Sequence, residues 1–358
     1  MDAQTARTPG SAFTFVGTWR DYAPIAFTNL LLMIVTLGIY RFWAKTRERR
    51  YLWGNTRFID DRLEWTGTGL ELFIGFVLVA VLVGIPLLGL QFGIQALVVR
   101  NQVGLAGLLG IGLYLGLLYL FGLARFRALR YRLSRTVWHG ISGGSNEQGF
   151  GYAVQATWMP IVGGFAFGLL IPWSLVGLWN AKWNEMSFGP HPFTSGARAT
   201  PVFRRMILCI ALAIPTMVAM AALAGLTGAS IAGMAPGSSL GILFMFLPLF
   251  YILVFIVFPI TFYAVFFREC VSQMTLGQLE FEFAARTKDW IKLYLGDVAL
   301  VVCTLGIGAI FLGYRHWSFF IRHLEAYGEV DLDTLTVSTT RRPGQGEGLL
   351  DAFDIGAV

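Results

Sequence analysis

Apolar residues along this chain gather in long blocks instead of recurring at helical or strand period. Seven can be drawn: Ala23–Tyr40, Leu70–Val98, Val103–Leu123, Trp158–Leu178, Met206–Ala232, Leu240–Phe267 and Ile291–Leu312. Each reaches about 18 residues or more, near the ~20 that carry one helix across a bilayer. Seven transmembrane helices is the plain reading, and the charged loops favour another. Arg57, Arg62 and their basic neighbours follow the first block, and Arg125, Arg127, Arg130, Arg132 and Arg135 follow the third; loops rich in Lys and Arg stay cytoplasmic. The turn between blocks two and three then holds only Arg100, and Thr227 to Ser239, between blocks five and six, carries no charge. Block four must start and finish on the basic side, yet Tyr152 to Leu178 is too short for two crossings. Block seven, bracketed by Lys288 and Lys292 before it and Arg315 and Arg322 after it, poses the same problem. The expected fold class is an all-α polytopic membrane protein, with four full transmembrane helices in two hairpins (70–123 and 206–267) and three re-entrant or interfacial blocks.

Short alternating runs border the blocks: Phe13 to Phe15, Leu63 to Gly67, Thr136 to Gly140, Pro192 to Gly196, Leu279 to Phe283 and Val330 to Thr334. Apolar and polar residues alternating with period two have strand character, so a small cytoplasmic β component is expected beneath the helices, with amphipathic linkers as the competing reading. Self-comparison adds an ungapped repeat. Phe13-Thr14-Phe15 aligns with Phe281-Glu282-Phe283, Thr36-Leu37-Gly38-Ile39 with Thr304-Leu305-Gly306-Ile307, and Arg47 with Arg315. A more diverged middle copy is suggested by Trp179-Asn180-Ala181-Lys182-Trp183, which resembles Phe42-Trp43-Ala44-Lys45-Thr46. The chain divides into a flexible N-terminus (1–12), one membrane domain (13–338) with repeat units 13–62, 144–190 and 281–330, and a breaker-rich disordered tail (339–358).

With 56% hydrophobic and 13% charged residues, against roughly 25% charged in soluble domains, a soluble enzyme is excluded. Cys209, Cys270 and Cys303 have no CxxC spacing, so neither a disulfide framework nor a metal site is indicated. No phosphate loop, nucleophile elbow or HExxH motif occurs. Neither an enzyme activity, nor a cofactor, nor nucleic acid as a partner is expected. The first twelve residues lack the apolar core of a cleaved signal peptide.

The run Thr36 to Arg47, with Phe42-Trp43-Ala44-Lys45-Thr46 at its centre, then Arg49 to Leu52, Asn55-Thr56 and Leu63 to Leu72, resembles the YjgN-like family of bacterial inner-membrane proteins. The likeness covers about Phe13 to Val337. It implies multi-pass residence in the bacterial inner membrane, and since members are described as of unknown function, it implies no substrate and no catalytic residue.

Candidate sites are therefore read from the residues themselves. Asn29 and its aligned partner Asp297 lie inside apolar blocks, where polar and ionisable groups are costly and face a cavity or a partner. Gln91 and Gln95, one helical turn apart, either line a path or hydrogen-bond between helices. Arg41, Lys45 and Arg49 share a helical face; with Arg47, Arg50, Arg125 and Arg132 they are candidates for anionic lipid or phosphate, and plain anchoring to the anionic leaflet explains them equally well. The functional expectation is binding or passage of a small solute, ion or lipid at the repeat interface. The alternative is a non-transport scaffold that recruits anionic lipid, a second copy or another membrane protein through its basic face.

Overall fold

The computed structural model describes residues 12–231 and 239–328 of the chain. Five helix pairs stand on short antiparallel strands. The first unit runs from β1 (Phe13–Phe15) through α1 (Trp19–Val35) and α2 (Arg41–Gly54) to β2 (Thr56–Phe58), which pairs back on β1. Then β3 (Asp61–Arg62) and β4 (Glu64–Trp65) lead into α3 (Gly69–Val79), a π-helical turn at Ala80–Gly84 and α4 (Ile85–Val99); α5 (Val103–Arg135) returns to β5 (Thr136–Trp138). The third unit is β6 (Ile141–Gly144), α6 (Phe150–Phe165), α7 (Ile171–Trp183) and β7 (Ser187–Phe188). The fourth is β8 (His191–Ser195), α8 (Ala199–Ile231), α9 (Ser239–Ser272) and β9 (Met274–Leu276). The last is β10 (Leu279–Phe283), α10 (Thr287–Cys303), a 3-10 turn at Ile307–Phe311, α11 (Leu312–His323) and β11 (Leu324–Tyr327).

Strands β4 to β11 pair in chain order in one eight-stranded sheet, and β1 to β3 form a second of three. The two curl into a ring: β3 continues through Leu63 into β4, and β1 lies against β11, with Phe13 6.4 Å from Phe281. Phe58 of β2, Trp138 of β5 and Leu279 of β10 meet in one buried cluster although their strands are not neighbours. Side chains therefore pack across the ring.

Chain-order antiparallel pairing has a topological consequence. Successive strands are joined alternately by a helix pair and by a tight turn, at Ile59, His139–Gly140, Gly189 and Gly277, where φ is positive. All five helix pairs thus leave the ring from one rim and all four tight turns lie on the other. The long α3–α5 pair is tied at its base by a capping box, in which Thr68 accepts from the Glu71 N–H and the Glu71 carboxylate accepts from the Thr68 N–H. Glu71 also accepts from Tyr131 Oη at 3.2 Å and pairs with Arg135 at 2.9 Å, fastening α3 to α5.

Two expectations are corrected. The chain is not all-α: eleven strands occur among the described residues. Five of the six alternating runs are strands; their partners, such as β2, β6 and β9, run for only three or four residues and are swamped by apolar helices in any hydropathy profile. Nor are four full transmembrane helices found. Among the described residues two helical stretches, Gly69–Val99 and Val103–Arg135, are long and apolar enough to cross a membrane, which also removes the alternative of seven. The run Val330 to Thr334, the tail and the N-terminal segment before Ala12 lie outside the described residues.

Candidate functional site

The three shorter pairs, α1–α2, α6–α7 and α10–α11, share one turn. Thr36-Leu37-Gly38, Ala166-Phe167-Gly168 and Thr304-Leu305-Gly306 each place a bulky residue and then glycine at positive φ (49° and 89°, 53° and 79°, 51° and 94°). In each, the glycine N–H donates back five residues, to Met33, Gly163 and Val301 carbonyls at 2.8, 3.1 and 2.8 Å. This is the six-to-one bond of a Schellman helix end, which satisfies backbone groups a helix terminus leaves open. Leucine and phenylalanine rarely adopt a left-handed backbone, and here the side chain is thrown outward: Leu37, Phe167 and Leu305 are 94%, 98% and 93% exposed. Thr36 and Thr304 hydroxyls add a second brace, accepting from Tyr40 N–H at 2.9 Å and Gly308 N–H at 2.6 Å.

Seven residues before each turn stands the residue that locks the pair. Asn29 is buried, donates to the Ala44 carbonyl at 3.2 Å and accepts from Arg47 at 3.2 Å. At the matching place Asp297, also buried, accepts from Arg315 Nε at 2.6 Å and meets His316 Nε2 at 2.6 Å. The middle pair has Met159 there, its Cε 3.4 Å from where a side-chain Cβ on Gly177 would stand. The bridged residues are eighteen apart in all three. In the turn register Gly38 matches Gly168, so Trp179 to Trp183 stands about two helical turns further along its pair than Phe42 to Thr46 on theirs. Asn29 and Asp297 are cross-links inside their own helix pairs; the structure does not bring them together with Gln91 and Gln95, which lie exposed on α4.

The basic candidates separate in the same way. Lys45 pairs with Glu48 at 2.9 Å, Arg50 donates to the Gly67 carbonyl at 3.5 Å, and Arg41 is exposed beside the first turn. Arg49 is 2% exposed, its guanidinium 4.8 Å from the Trp65 ring centre. Arg41, Lys45 and Arg49 therefore do not form one open line, because α2 packs that face against β4. Arg125 and Arg132 sit in the lower part of α5 above buried Phe126 and Leu129.

A residue absent from the sequence-derived candidates is a buried cation beside a cavity. Lys182, in the last turn of α7, is 2% exposed and faces a cavity of about 250 Å³ shared with Arg125, Tyr152, Trp179, Tyr263 and Phe266. Its ammonium lies 5.4 Å from the Trp179 ring centre and has no hydrogen bond or ion pair among the described residues. Burial, then the fields of Arg125 and Arg132, pull its pKa down from 10.5 to about 7. Nearby Cys270 and Tyr152 are pushed up, chiefly by burial, and so stay neutral. The sequence carried one faint signal, a lysine framed by Trp179 and Trp183. Its burial is set by α5 and α9, which are remote in sequence.

Comparison with known proteins gives one extensive match and several partial ones. A family described as "Bacterial protein of unknown function (DUF898)" matches residues 10–352. The chain is 32% identical over 109 residues to inner membrane protein YjgN of Escherichia coli strain K12, covering 28% of this chain and 27% of that protein. It is 34% identical over 79 residues to the protein of the same name in Salmonella typhimurium, covering 22% of this chain and 20% of that one. The matched stretch thus spans about a quarter of the first relative's length. No solved structure matches.

Proposed function

The chain belongs to the DUF898 family of bacterial proteins of unknown function and is an inner-membrane protein like its named relatives; from that premise we propose that it is a multi-pass scaffold whose three short helix pairs dip into the bilayer from the side of the strand ring and return without crossing it. The observation that carries this reading is the set of three matching turns with exposed Leu37, Phe167 and Leu305 at their tips. Apolar ends of this kind need a cover in an aqueous setting, and lipid supplies one. The depth is suitable: α1, α6 and α10 hold 17, 16 and 17 residues, or roughly 25 Å at 1.5 Å per residue, short of the ~30 Å hydrocarbon core. Backbone at membrane depth must have its polar groups satisfied, and the Schellman bonds with the Thr36 and Thr304 hydroxyls do so at the tips.

A scaffold is favoured over passage of a solute by two features. Asn29 and Asp297, the polar groups at depth, are engaged in cross-links within their own pairs. The ring beneath the helices is crossed by Phe58, Trp138 and Leu279. Single cysteines at positions 37, 167 and 305, in a chain with Cys209, Cys270 and Cys303 replaced by alanine, test the proposal. Membrane-impermeant maleimide should leave all three unlabelled from either side, while quenchers on the lipid chains reach fluorophores placed there. Labelling of any tip from the periplasmic side would overturn it.

A further inference from the structure

We propose that the cavity between α5, α6, α7 and α9 is a binding site for the phosphate group of an anionic amphiphile, with Lys182 and Arg125 as its cationic ligands. The site goes beyond the bilayer-dipping reading and stands on its own geometry.

An isolated buried ammonium is among the costliest groups a fold can retain, and buried charges are therefore paired or neutralised. Lys182 has neither a hydrogen bond nor an ion pair among the described residues, and the described groups around it supply no counter-ion. The Cys270 thiol and the Tyr152 hydroxyl stay protonated. Glu269, one residue from Cys270, is turned to the Arg198 N–H, which it accepts at 3.1 Å. The other charges that face Lys182 are Arg125 and Arg132, both positive. Arg125 lines the same cavity and likewise has no ion pair among the described residues; its guanidinium is 6.0 Å from the Phe121 ring centre. Among the described residues no acidic group stands against either cation, so an anion entering the cavity would meet two positive charges and no competitor.

The walls narrow the chemistry. Phosphate is held well by a lysine point charge and an arginine fork together, and basic pockets between membrane helices on the cytoplasmic side hold lipid head groups. At about 250 Å³ the cavity falls below the roughly 300 Å³ at which pockets for whole drug-sized molecules begin, so a head group fits and acyl chains do not. Leu175, Leu178, Phe266 and Phe267 surround the cations with apolar surface, and Tyr263, 43% exposed, stands at its edge. A ligand with a charged end inside and apolar chains leaving past Tyr263 satisfies both surfaces.

The test uses the full chain in detergent, with retained lipid read by native mass spectrometry and stabilisation read by thermal shift. Phosphatidylglycerol should bind, with Lys182→Met and Arg125→Met each weakening it at least tenfold. Phosphatidylcholine, whose trimethylammonium would meet both cations, should be retained at least tenfold less than phosphatidylglycerol. Inorganic phosphate matching phosphatidylglycerol in stabilising the wild type, with the effect lost in Lys182→Met, would support phosphate recognition and name a free anion as the source. Equal retention of the two lipids, or phosphatidylglycerol binding unchanged in both variants, overturns the proposal. The second variant guards against Lys182→Met failing to fold.

Discussion

Replacing Lys182 by methionine should make the protein more stable, the reverse of what truncating a core residue does. The structure sets the size. The fall from 10.5 to about 7, at 1.36 kcal/mol per pH unit, corresponds to roughly 4–5 kcal/mol by which the folded state disfavours the charged amine. Methionine keeps the unbranched stem and deletes the charge; replacing buried charged groups by apolar ones of similar volume stabilises by about 1–4 kcal/mol. The sign of the pH dependence follows from proton counts. Between about pH 7 and pH 10.5 the unfolded chain holds the lysine proton and the folded chain has released it, so wild-type stability rises with pH across that window. Below about 7 the amine is charged in both states and the contribution is flat. Lys182→Met should therefore gain most at pH 7 or below and lose its advantage towards pH 10.5. Thermal unfolding midpoints of wild type and variant, compared at pH 6.5, 8 and 9.5 in detergent, measure the difference. A variant less stable than wild type at pH 6.5, or a stability difference that does not shrink with pH, would refute the reasoning. Binding of a phosphodiester, which does not titrate here, re-protonates Lys182, so phosphatidylglycerol affinity should weaken above about pH 7 by at most tenfold per pH unit.

The cross-links make a second expectation. Asp297→Asn and Arg315→Ala, alone and combined, should give a coupling free energy of about 1 kcal/mol in a double-mutant cycle, because the Arg315 side chain is one-third exposed and water screens the pair; additive effects would remove the latch from the argument. At the first turn, Gly38 stands at φ 89° with open space around a Cβ, so Gly38→Ala tests backbone strain without a clash and should cost about 1 kcal/mol. An unchanged unfolding midpoint would count against that turn geometry.

Much of the helical layout was legible because apolar blocks are long and breakers such as Gly38 and Gly306 mark their turns. The alternating runs gave β1, β4, β5, β8 and β10 for the same reason, period two over a few residues. Their partners were not visible, since β7 is two residues long and gains its identity from the turn at Gly189 and from pairing with β6 and β8. Asn29 and Asp297 were found as polar residues in apolar surroundings, and the offset linking Arg47 to Arg315 was already in the sequence. What the sequence lacked was the fact that each arginine reaches the polar residue eighteen positions before it. Lys182 went unnoticed because hydropathy treats it as one more interfacial lysine, and its burial comes from the packing of α5 and α9 over α7.

The strand order carries the strongest constraint on how the helices can run. Every pair of neighbours from β4 to β11 is antiparallel and consecutive in the chain, so a connection that leaves the helix-bearing rim must return to it. A lone helix ending on the far side would deliver the next strand in the parallel sense and break the ladder. The helical connections are therefore even in number of passes, whatever surrounds them. That is why the α1, α6 and α10 segments are answered by α2, α7 and α11, after five residues in the first two pairs and after three residues and the 3-10 turn in the last, and why a polar residue near the midpoint of the outer pairs finds its partner on the returning helix. The middle pair meets the same need with Met159 against Gly177, exchanging a charge-assisted bond for close packing. It is this pair whose base holds Lys182, beside the cavity that α5 and α9 complete.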